Sequence, residues 1–416
     1  MPANRIILAE YFTTDDLTLL FGVRADWDEP EVVEIKQPLS EIRKYVTDNF
    51  GGEEAKDGKE RRTTADKVQH IDLDEWQARF APFVEPILRW SDPGDYLYLV
   101  PHDVLHYLPL HTLKIEGNYL IERNPVLYTP SASVLKYCQA KRKGRREKAL
   151  VFGDSAVDIN LSLPFAREEA MQVADLFGTH AFIGPDARKS LVKEKLEKER
   201  EEIDILHFAC HGYFHPFQAL KSGILMAPEP NGEKEPAEFE TTLHGLPVSR
   251  YLTAEEFFGM EMHADLVTLS ACDSGVNQLR PGDELFGLMR ALIYAGTPSV
   301  VMTLWGVDDI STELLMVHFY QCLKAGDSKV EALQKAQLYV KNVTAAEVKA
   351  YYEDKINRIA QTSSDRRKSQ TAEGIRSIYG KLMAAEDIED HAVGMDYPIF
   401  SHPVFWAPFI LVGDWK

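Results

Sequence analysis

The chain has 416 residues, enough for two or three domains, and its 45% hydrophobic and 27% charged residues are typical of a folded globular protein. A formal net charge of −19 argues against nucleic-acid binding, which needs a basic face, although it would attract basic protein substrates. The longest apolar segment, residues 291–305, is too short to span a bilayer.

The N-terminus and the cysteines bear on the location of the protein. The apolar run near Met1 is too short for the core of a signal peptide. The four cysteines, Cys138, Cys210, Cys272 and Cys322, have neither paired spacing nor the clustering of a metal site. We therefore expect a cytoplasmic protein with free thiols, without a metal, a cofactor or a membrane anchor.

The first third of the chain predicts a small α/β unit. Apolar runs around polar turns predict strands at 6–12, 17–24 and 31–36, and helical spacing predicts a helix at 40–50. A charged stretch at 51–67 is typical of a loop or of disorder. Next we expect a helix around residues 80–88, kinked at Pro86, and a strand at 96–100.

From Lys148 onward, strands and helices alternate, which is the signature of a parallel sheet. A capping box at 328–331 predicts the start of one further helix. Strands are expected at 149–152, 203–210, 264–271, 299–305 and 402–413, and helices at 164–177, 190–200, 283–295 and 311–325. Two segments interrupt the alternation: 228–247 is predicted as a surface loop, and about 342–398 as a helical insertion with a flexible middle.

Two of these strands end at reactive side chains. His211 and Gly212 follow the strand at 203–210, and Cys272 follows the strand at 264–271. Because ligands of open parallel sheets bind beyond the carboxyl ends of the strands, the imidazole and the thiol can lie side by side there. A histidine that accepts the thiol proton creates the thiolate needed to attack a peptide carbonyl. The amides of Gly212 and Cys272 are the predicted donors to the resulting oxyanion.

Spacing alone favours a plainer interpretation, because cysteine is commonly buried and a histidine at a strand end commonly lies at the surface. Cys210 is a competing thiol, but strand alternation turns it to the face opposite His211 and predicts a core residue. His207 is also expected in the core. A loose group formed by His102, His106 and His111 fits no standard zinc pattern.

Several blocks, in the right order along nearly the whole chain, resemble the CHAT family of caspase-like cysteine proteases, which is related to separase. They lie at 100–103, 108–109, 130–132, 163–170, 207–212, 269–275, 287–291, 294–296, 303–309 and 406–409. The resemblance implies a caspase-like three-layer α/β sandwich with a mostly parallel central sheet. It further implies a pseudo-catalytic half at 1–147 without its own dyad and a catalytic half at 148–416. His211 would be the general base and Cys272 the nucleophile, and no third, orienting residue is marked.

The resemblance leaves specificity open. Relatives that cut after Arg or Lys carry an Asp two residues before the nucleophile, and Ser270 occupies that position here. The segment 304–309 is similar to an acidic segment near the Arg pocket of separase, so Asp309, and secondly Asp308, are candidates for the floor of the S1 pocket. The alternative is that both aspartates only begin the next helix, where carboxylates favour the helix dipole.

The function expected from the sequence is that of a cytoplasmic, bacterial cysteine endopeptidase that cuts a specific protein substrate. By resemblance alone, that substrate belongs to a defence pathway and is a pore-former such as a gasdermin, and an activating protein or ligand is a possible partner. One alternative is a catalytically idle scaffold that binds a partner protein. Another is a hydrolase or acyltransferase for small amides, which would need a closed pocket. The basic run 366–368 is either a self-cleavage site or a solvated loop.

Overall fold

The computed structural model describes residues 5–50, 64–155, 161–213, 218–230, 246–270, 284–362, 380 and 396–416. The strands in these ranges are β1 (Ile6–Thr13), β2 (Thr18–Arg24), β3 (Glu31–Ile35), β4 (Tyr96–Val100), β5 (Lys114–Ile115), β6 (Asn118–Tyr119), β7 (Val126–Tyr128), β8 (Ala149–Gly153), β9 (Ala181–Ile183), β10 (Ile205–Ala209), β11 (Gly212–Tyr213), β12 (Gly223–Leu225), β13 (Tyr251–Thr253), β14 (Leu266–Leu269), β15 (Ser299–Thr303) and β16 (Phe409–Gly413). The α-helices are α1 (Leu39–Phe50), α2 (Thr64–Gln69), α3 (Leu73–Phe80), α4 (Ile87–Trp90), α5 (Leu120–Arg123), α6 (Ala132–Lys141), α7 (Pro164–Leu176), α8 (Lys189–Glu199), α9 (Ala254–Phe258), α10 (Glu284–Ala295), α11 (Asp309–Lys324), α12 (Lys329–Asn342), α13 (Ala345–Thr362) and α14 (Pro403–Trp406). None of these helices combines the length and the apolar character that crossing a membrane requires.

Eleven strands form one sheet in the order β3-β2-β1-β4-β7-β16-β15-β14-β10-β8-β9. Neighbouring strands are parallel except in the pairs β1–β2, β2–β3 and β15–β16. The sheet is therefore mostly parallel, as predicted. Strands β8, β10, β14 and β15 are buried along their whole length. Because these four strands are mutually parallel, their carboxyl ends meet along one edge of the sheet.

Helices pack on both faces of this part of the sheet, and neighbouring residues of β10 show it. The buried side chain of His207 contacts Glu169 of α7 and Tyr320 of α11 on one face. The next side chain, Phe208, packs against Phe257 of α9 on the other face. Since successive side chains of a strand point to opposite faces, the sheet lies between two helical layers. This is the three-layer α/β sandwich that the resemblance implies.

Some predicted elements differ from the structure. The single kinked helix around residues 80–88 is wrong: α3 ends at Phe80, a 3₁₀ turn spans Ala81–Phe83, and α4 starts at Ile87. Pro82 and Pro86 lack the amide hydrogens that a continuous helix needs, so the helix breaks twice. The charged stretch expected to be loop includes the first residues of α2.

The predicted strand at 402–413 is also too long, because α14 precedes β16. The side chain of His402 accepts a hydrogen bond from the amide of Val404 and starts that short helix. The predicted insertion begins as expected with helix α13, and its middle, residues 363–379, lies outside the described residues. Most of the predicted surface loop at 228–247 also lies outside them.

Candidate active site

The carboxyl end of β10 positions the candidate base. Strand β10 pairs in parallel with β14, so that Phe208 stands opposite Leu269. Beyond that pair, the amide of Ser270 still donates to the carbonyl of Phe208 across 2.9 Å. The carboxyl end of β10, which His211 follows, therefore lies directly beside the carboxyl end of β14. The structure thus brings together the two strand ends that the sequence singled out.

The ring of His211 is held by a main-chain carbonyl. Its Nε2 lies 2.8 Å from the carbonyl oxygen of Leu161, in the loop before α7. Because a carbonyl oxygen only accepts hydrogen bonds, Nε2 must carry the hydrogen, and the neutral ring then has its lone pair on Nδ1. Burial lowers the pKa of His211, and the Leu161 carbonyl and the charge of Asp154 oppose that shift. At neutral pH the imidazole is consequently uncharged, with Nδ1 able to accept a proton.

The sequence contained no signal for this orienting group. Leu161 acts through its backbone, so its side-chain type carries no information about the contact with His211. The acceptor is also 50 residues away from His211 along the chain. Only the fold, which places the carbonyl of Leu161 beside the ring of His211, reveals the contact.

The amide of Gly212 points away from its neighbouring strand. Gly212 stands opposite Ile224 in the antiparallel pair of β11 and β12, and the amide of Leu225 donates to the carbonyl of His211 at 2.8 Å. Hydrogen-bonded and non-hydrogen-bonded pairs alternate in such a ladder. His211 and Leu225 form the bonded pair, so the Gly212 amide is directed to the side opposite β12. The backbone N–H of Gly212 is therefore not a hydrogen-bond donor to β12.

Cys272, the predicted nucleophile and the second predicted oxyanion donor, lies outside the described residues. The competing thiol is described: Cys210 is fully buried, and burial raises its pKa to about 12. A thiol with that pKa is not a nucleophile at neutral pH. The expectation that Cys210 is a core residue is confirmed.

A buried polar chain lies beneath the strand ends. Glu169 Oε1 lies 3.0 Å from His207 Nε2, and His207 Nδ1 lies 3.1 Å from the hydroxyl of Tyr320, which donates in turn to Thr268. Burial raises the pKa of Glu169, against the hydrogen bond with His207. His207 is thus a core residue, as expected, and it ties β10 to α7 and α11.

The two aspartates at the start of α11 differ in their surroundings. Asp308 is the N-cap of the helix, where its carboxylate accepts from the amide of Ser311 at 2.8 Å. This is the capping role that the sequence left open. Asp309 is the first helical residue and is half-buried. Burial, followed by the nearby carboxylates, raises the pKa of Asp309 to about 6.

Hydrogen bonds and burial characterise the loose group of His102, His106 and His111. His102 Nδ1 lies 2.6 Å from the hydroxyl of Thr13, whereas His111 Nδ1 lies 2.8 Å from the hydroxyl of Tyr128. Burial lowers the pKa of both His106 and His111 to about 3. Within the part of the chain that the structure describes, no group of three or more His, Cys, Asp or Glu side chains could hold a metal ion.

The fold and this edge of the sheet define an α/β sandwich with an oriented histidine at the carboxyl ends of its parallel strands. The profile of the CHAT domain family matches residues 76–414. The chain belongs to the CHAT domain family, as the resemblance in its motifs predicted. Membership is compatible with a cysteine peptidase and with a catalytically idle member.

Two curated relatives are much longer proteins. The chain is 22% identical to human tetratricopeptide repeat protein 28 over 288 aligned positions, and the match covers 62% of this chain and 11% of that protein. It is 24% identical to the mouse protein of the same name over 284 aligned positions, and this match covers 58% of this chain and 11% of the relative. The chain therefore spans about a tenth of the length of these relatives.

Similar solved structures include a separase–securin complex and a cysteine proteinase. A separase–securin complex from Saccharomyces cerevisiae matches with a TM-score of 0.38 and 13% identity, covering 67% of this chain and 16% of that one. The Arg-specific cysteine proteinase gingipain R matches with a TM-score of 0.37 and 11% identity, covering 84% of this chain and 67% of that one.

Proposed function

We propose that the protein is a cysteine endopeptidase in which Cys272 is the nucleophile and His211 the general base. The observation that supports this most is the hydrogen bond between His211 Nε2 and the Leu161 carbonyl. It fixes the tautomer with an acceptor at Nδ1, which is what a base for a thiol needs.

The positions of His211 and Cys272 in the sequence support a pairing of the two. Ser270 is hydrogen-bonded to β10 through the carbonyl of Phe208, and two residues of chain span at most about 7 Å. His211 and Cys272 each follow a member of the opposed pair Phe208 and Leu269 by three residues in the sequence. These two facts support the dyad.

The proposed reaction proceeds through an acyl-enzyme. His211 Nδ1 takes the thiol proton, and the thiolate of Cys272 attacks the scissile carbonyl carbon, whose oxygen becomes an oxyanion held by the amides of Gly212 and Cys272. The carbon–nitrogen bond then breaks as His211 protonates the leaving amine. Water, deprotonated by His211, attacks the thioester, and the carbon–sulfur bond breaks to release the acid and the thiol. No metal or cofactor takes part in these steps.

The preferred residue before the cut is Arg or Lys, with Asp309 as its partner. The Asp309 carboxylate is half-buried and receives no hydrogen bond from the described residues. A desolvated carboxylate that lacks donors gains most from a guanidinium, which supplies two parallel hydrogen bonds. Asp308 is the weaker candidate because it already caps α11. The substrate class is then a protein with an exposed basic residue, and a pore-forming defence effector is one protein of this kind.

Mapping of new N-termini in a cell lysate tests the proposal. The full chain is added beside a Cys272→Ala variant, with Cys322→Ala as the matched control, because Cys322 lies near the far end of α11. We expect cuts after Arg or Lys with the wild type and with Cys322→Ala, and none with Cys272→Ala. Cuts that persist in Cys272→Ala would contradict the proposal.

A lysate without cuts would favour the idle scaffold, and a thiol-reactive probe then separates a latent enzyme from it. A thiolate at Cys272 predicts labelling near neutral pH that is at least about tenfold faster than in a His211→Gln variant. Equal and slow labelling in both proteins would establish the scaffold.

A further inference from the structure

Asp154, at the carboxyl end of β8, is a buried charge beside the candidate active site. Its side chain is fully buried, and its backbone is in the left-handed region with φ of 42°. Asp tolerates this conformation better than most residues, but a fold rarely uses it without a reason. The reason is visible in what the residue contacts.

The carboxylate of Asp154 organises the loop that orients the base. Its Oδ1 accepts from the amide of Leu163 at 2.8 Å, and its Oδ2 accepts from the hydroxyl of Ser162 at 3.3 Å. These residues directly follow Leu161, whose carbonyl holds His211. The position of that carbonyl is thus set by two hydrogen bonds to one buried carboxylate.

The backbone of Asp154 is tied to the strand that carries His211. The amide of Asp154 donates to the carbonyl of Ala209 at 2.9 Å, and Ala209 is the last residue of β10. The carbonyl of Asp154 accepts from the amide of Gly184 at 2.9 Å. Asp154 therefore contacts both the strand before His211 and the loop that holds its ring.

Arg167, on the first turns of α7, neutralises this buried charge. Its Nε and Nη2 lie 2.9 Å and 2.7 Å from Asp154 Oδ2, and its side chain is 19% exposed. A buried carboxylate without a cation would be costly, whereas a guanidinium with two contacts also fixes the direction of the pair. The pair links α7 to the end of β8.

We propose that Asp154, held by Arg167, is a positioning residue. It keeps the Leu161 carbonyl at hydrogen-bond distance from His211 Nε2, so that Nδ1 remains the acceptor for the thiol proton. This inference rests on the proposed function for its catalytic meaning, although the tautomer of His211 exists whether or not the protein cuts peptides. Asp154 and Arg167 touch neither the thiol nor the substrate in this mechanism, and they act through Leu161.

The ring nitrogens of His211 report on this arrangement directly. In the full chain, long-range ¹H–¹⁵N correlations distinguish the two neutral tautomers, and a His211→Gln variant assigns the signals. We expect the Nε2–H tautomer to dominate in the wild type. Arg167→Gln and Asp154→Asn should give a mixture of tautomers. Wild-type signals in both variants would overturn the proposal.

The matched control is Arg43→Gln. Arg43 also binds an aspartate through the same two nitrogens, Nε to Asp103 Oδ1 at 3.2 Å and Nη2 to Asp103 Oδ2 at 2.8 Å, but it lies in the N-terminal part of the chain. It should leave the His211 signals unchanged, and a change as large as that of Arg167→Gln would also overturn the proposal. If Arg167→Gln and Asp154→Asn unfold, Arg167→Lys replaces them, because it keeps the positive charge but lacks the guanidinium group. This variant is expected to lose part of the Nε2–H tautomer, and wild-type signals in it would refute the proposal.

Kinetics separate this inference from the proposed function. A misdirected base should lower kcat by at least about tenfold with little change in KM, since general base catalysis contributes a hundredfold or more. Absence of proteolysis in the wild type, together with the expected tautomers, would contradict the proposed function and leave the positioning of His211 established. Proteolysis by the wild type, together with an unchanged kcat in folded Arg167→Gln, would support the proposed function and contradict the positioning role of Asp154 and Arg167.

Discussion

At the scale of single residues, the same chemical group serves different purposes according to what surrounds it. Asp308 and Asp309 are neighbours, yet one carboxylate accepts a helix amide and the other lies half-buried among carboxylates. Their separate roles lead to separate predictions.

Asp309 should make the preference for Arg depend on pH. Burial and nearby carboxylates raise the pKa of Asp309 to about 6, so its charge is present above that pH and is lost as the pH falls through 6. The ratio of kcat/KM for a peptide with Arg to that for the same peptide with the neutral isostere citrulline should therefore fall below pH 6. Asp309→Asn should give a low ratio at every pH, and a ratio that stays high in this variant would rule out Asp309 as the partner of Arg.

Asp308 should matter for stability instead. Its carboxylate caps α11 by accepting from Ser311. Replacement of an N-cap Asp by Ala costs about 0.5–2 kcal/mol. We expect Asp308→Ala to lower the free energy of unfolding in urea by that amount and to leave the Arg-to-citrulline ratio unchanged. An unchanged unfolding curve, or loss of Arg preference, would contradict this assignment.

At the scale of secondary structure, the sequence predicted elements well where burial leaves a periodic or continuous apolar pattern. The strands β8, β10, β14 and β15 are apolar runs buried on both faces and were recognisable as such. The three-stranded sheet of β11, β12 and β13 was missed, because strands of two or three residues are too short to show a pattern. The position of Gly212 in that sheet, and with it the direction of its amide, was therefore invisible too.

The sequence also did not predict which charged side chains are buried inside the fold. The motif at residues 328–331 correctly predicted a capping box at the start of α12. From the sequence, a lysine at the first position of a helix is expected to be exposed to solvent, whereas Lys329 is fully buried. Its Nζ lies 2.9 Å from Asp265 Oδ2 and 3.7 Å from Asp414 Oδ2. Lys329 thus joins α12 to the residues that flank β14 and β16.

Removal of this lysine should destabilise the protein strongly. Lys329→Met removes the buried cation that Asp265 and Asp414 share and leaves each carboxylate with one partly exposed arginine, Arg146 and Arg142 respectively. Breaking a buried pair costs up to about 3–5 kcal/mol. Lys335→Met, on the same helix, is the control, because Lys335 pairs with Asp327 at the surface and such pairs contribute about 0–1 kcal/mol. Urea unfolding of the two variants measures the difference. Equal losses would show that the buried network adds nothing.

At the scale of the whole molecule, the strand arrangement around the candidate site occurs twice in the sheet. β8, β10 and β14 are adjacent and parallel, and so are β1, β4 and β7. His102 follows β4 at the same distance as His211 follows β10. His102 and Ser131 each follow a member of the opposed pair Leu99 and Tyr128 by three residues, and in the sequence His211 and Cys272 each follow a member of the pair Phe208 and Leu269 by three residues. That residues 1–147 are a half without its own dyad, as the resemblance implies, stays a prediction.

The two histidines should therefore respond differently to the same substitution. In the N-terminal half, Thr13 occupies His102 Nδ1 through both its hydroxyl and its amide, at 2.6 Å and 3.2 Å, and the hydroxyl of Ser131 caps α6 by accepting from Val134. Both groups thus take part in hydrogen bonds within the N-terminal part of the chain. His102→Gln should keep proteolysis within about twofold of the wild type, whereas His211→Gln should lower kcat by about 10²–10⁴. Assays of both variants with one Arg peptide, after circular dichroism has shown equal folding, measure the contrast. A large loss of kcat in folded His102→Gln would contradict this contrast and would mean that the N-terminal half takes part in catalysis.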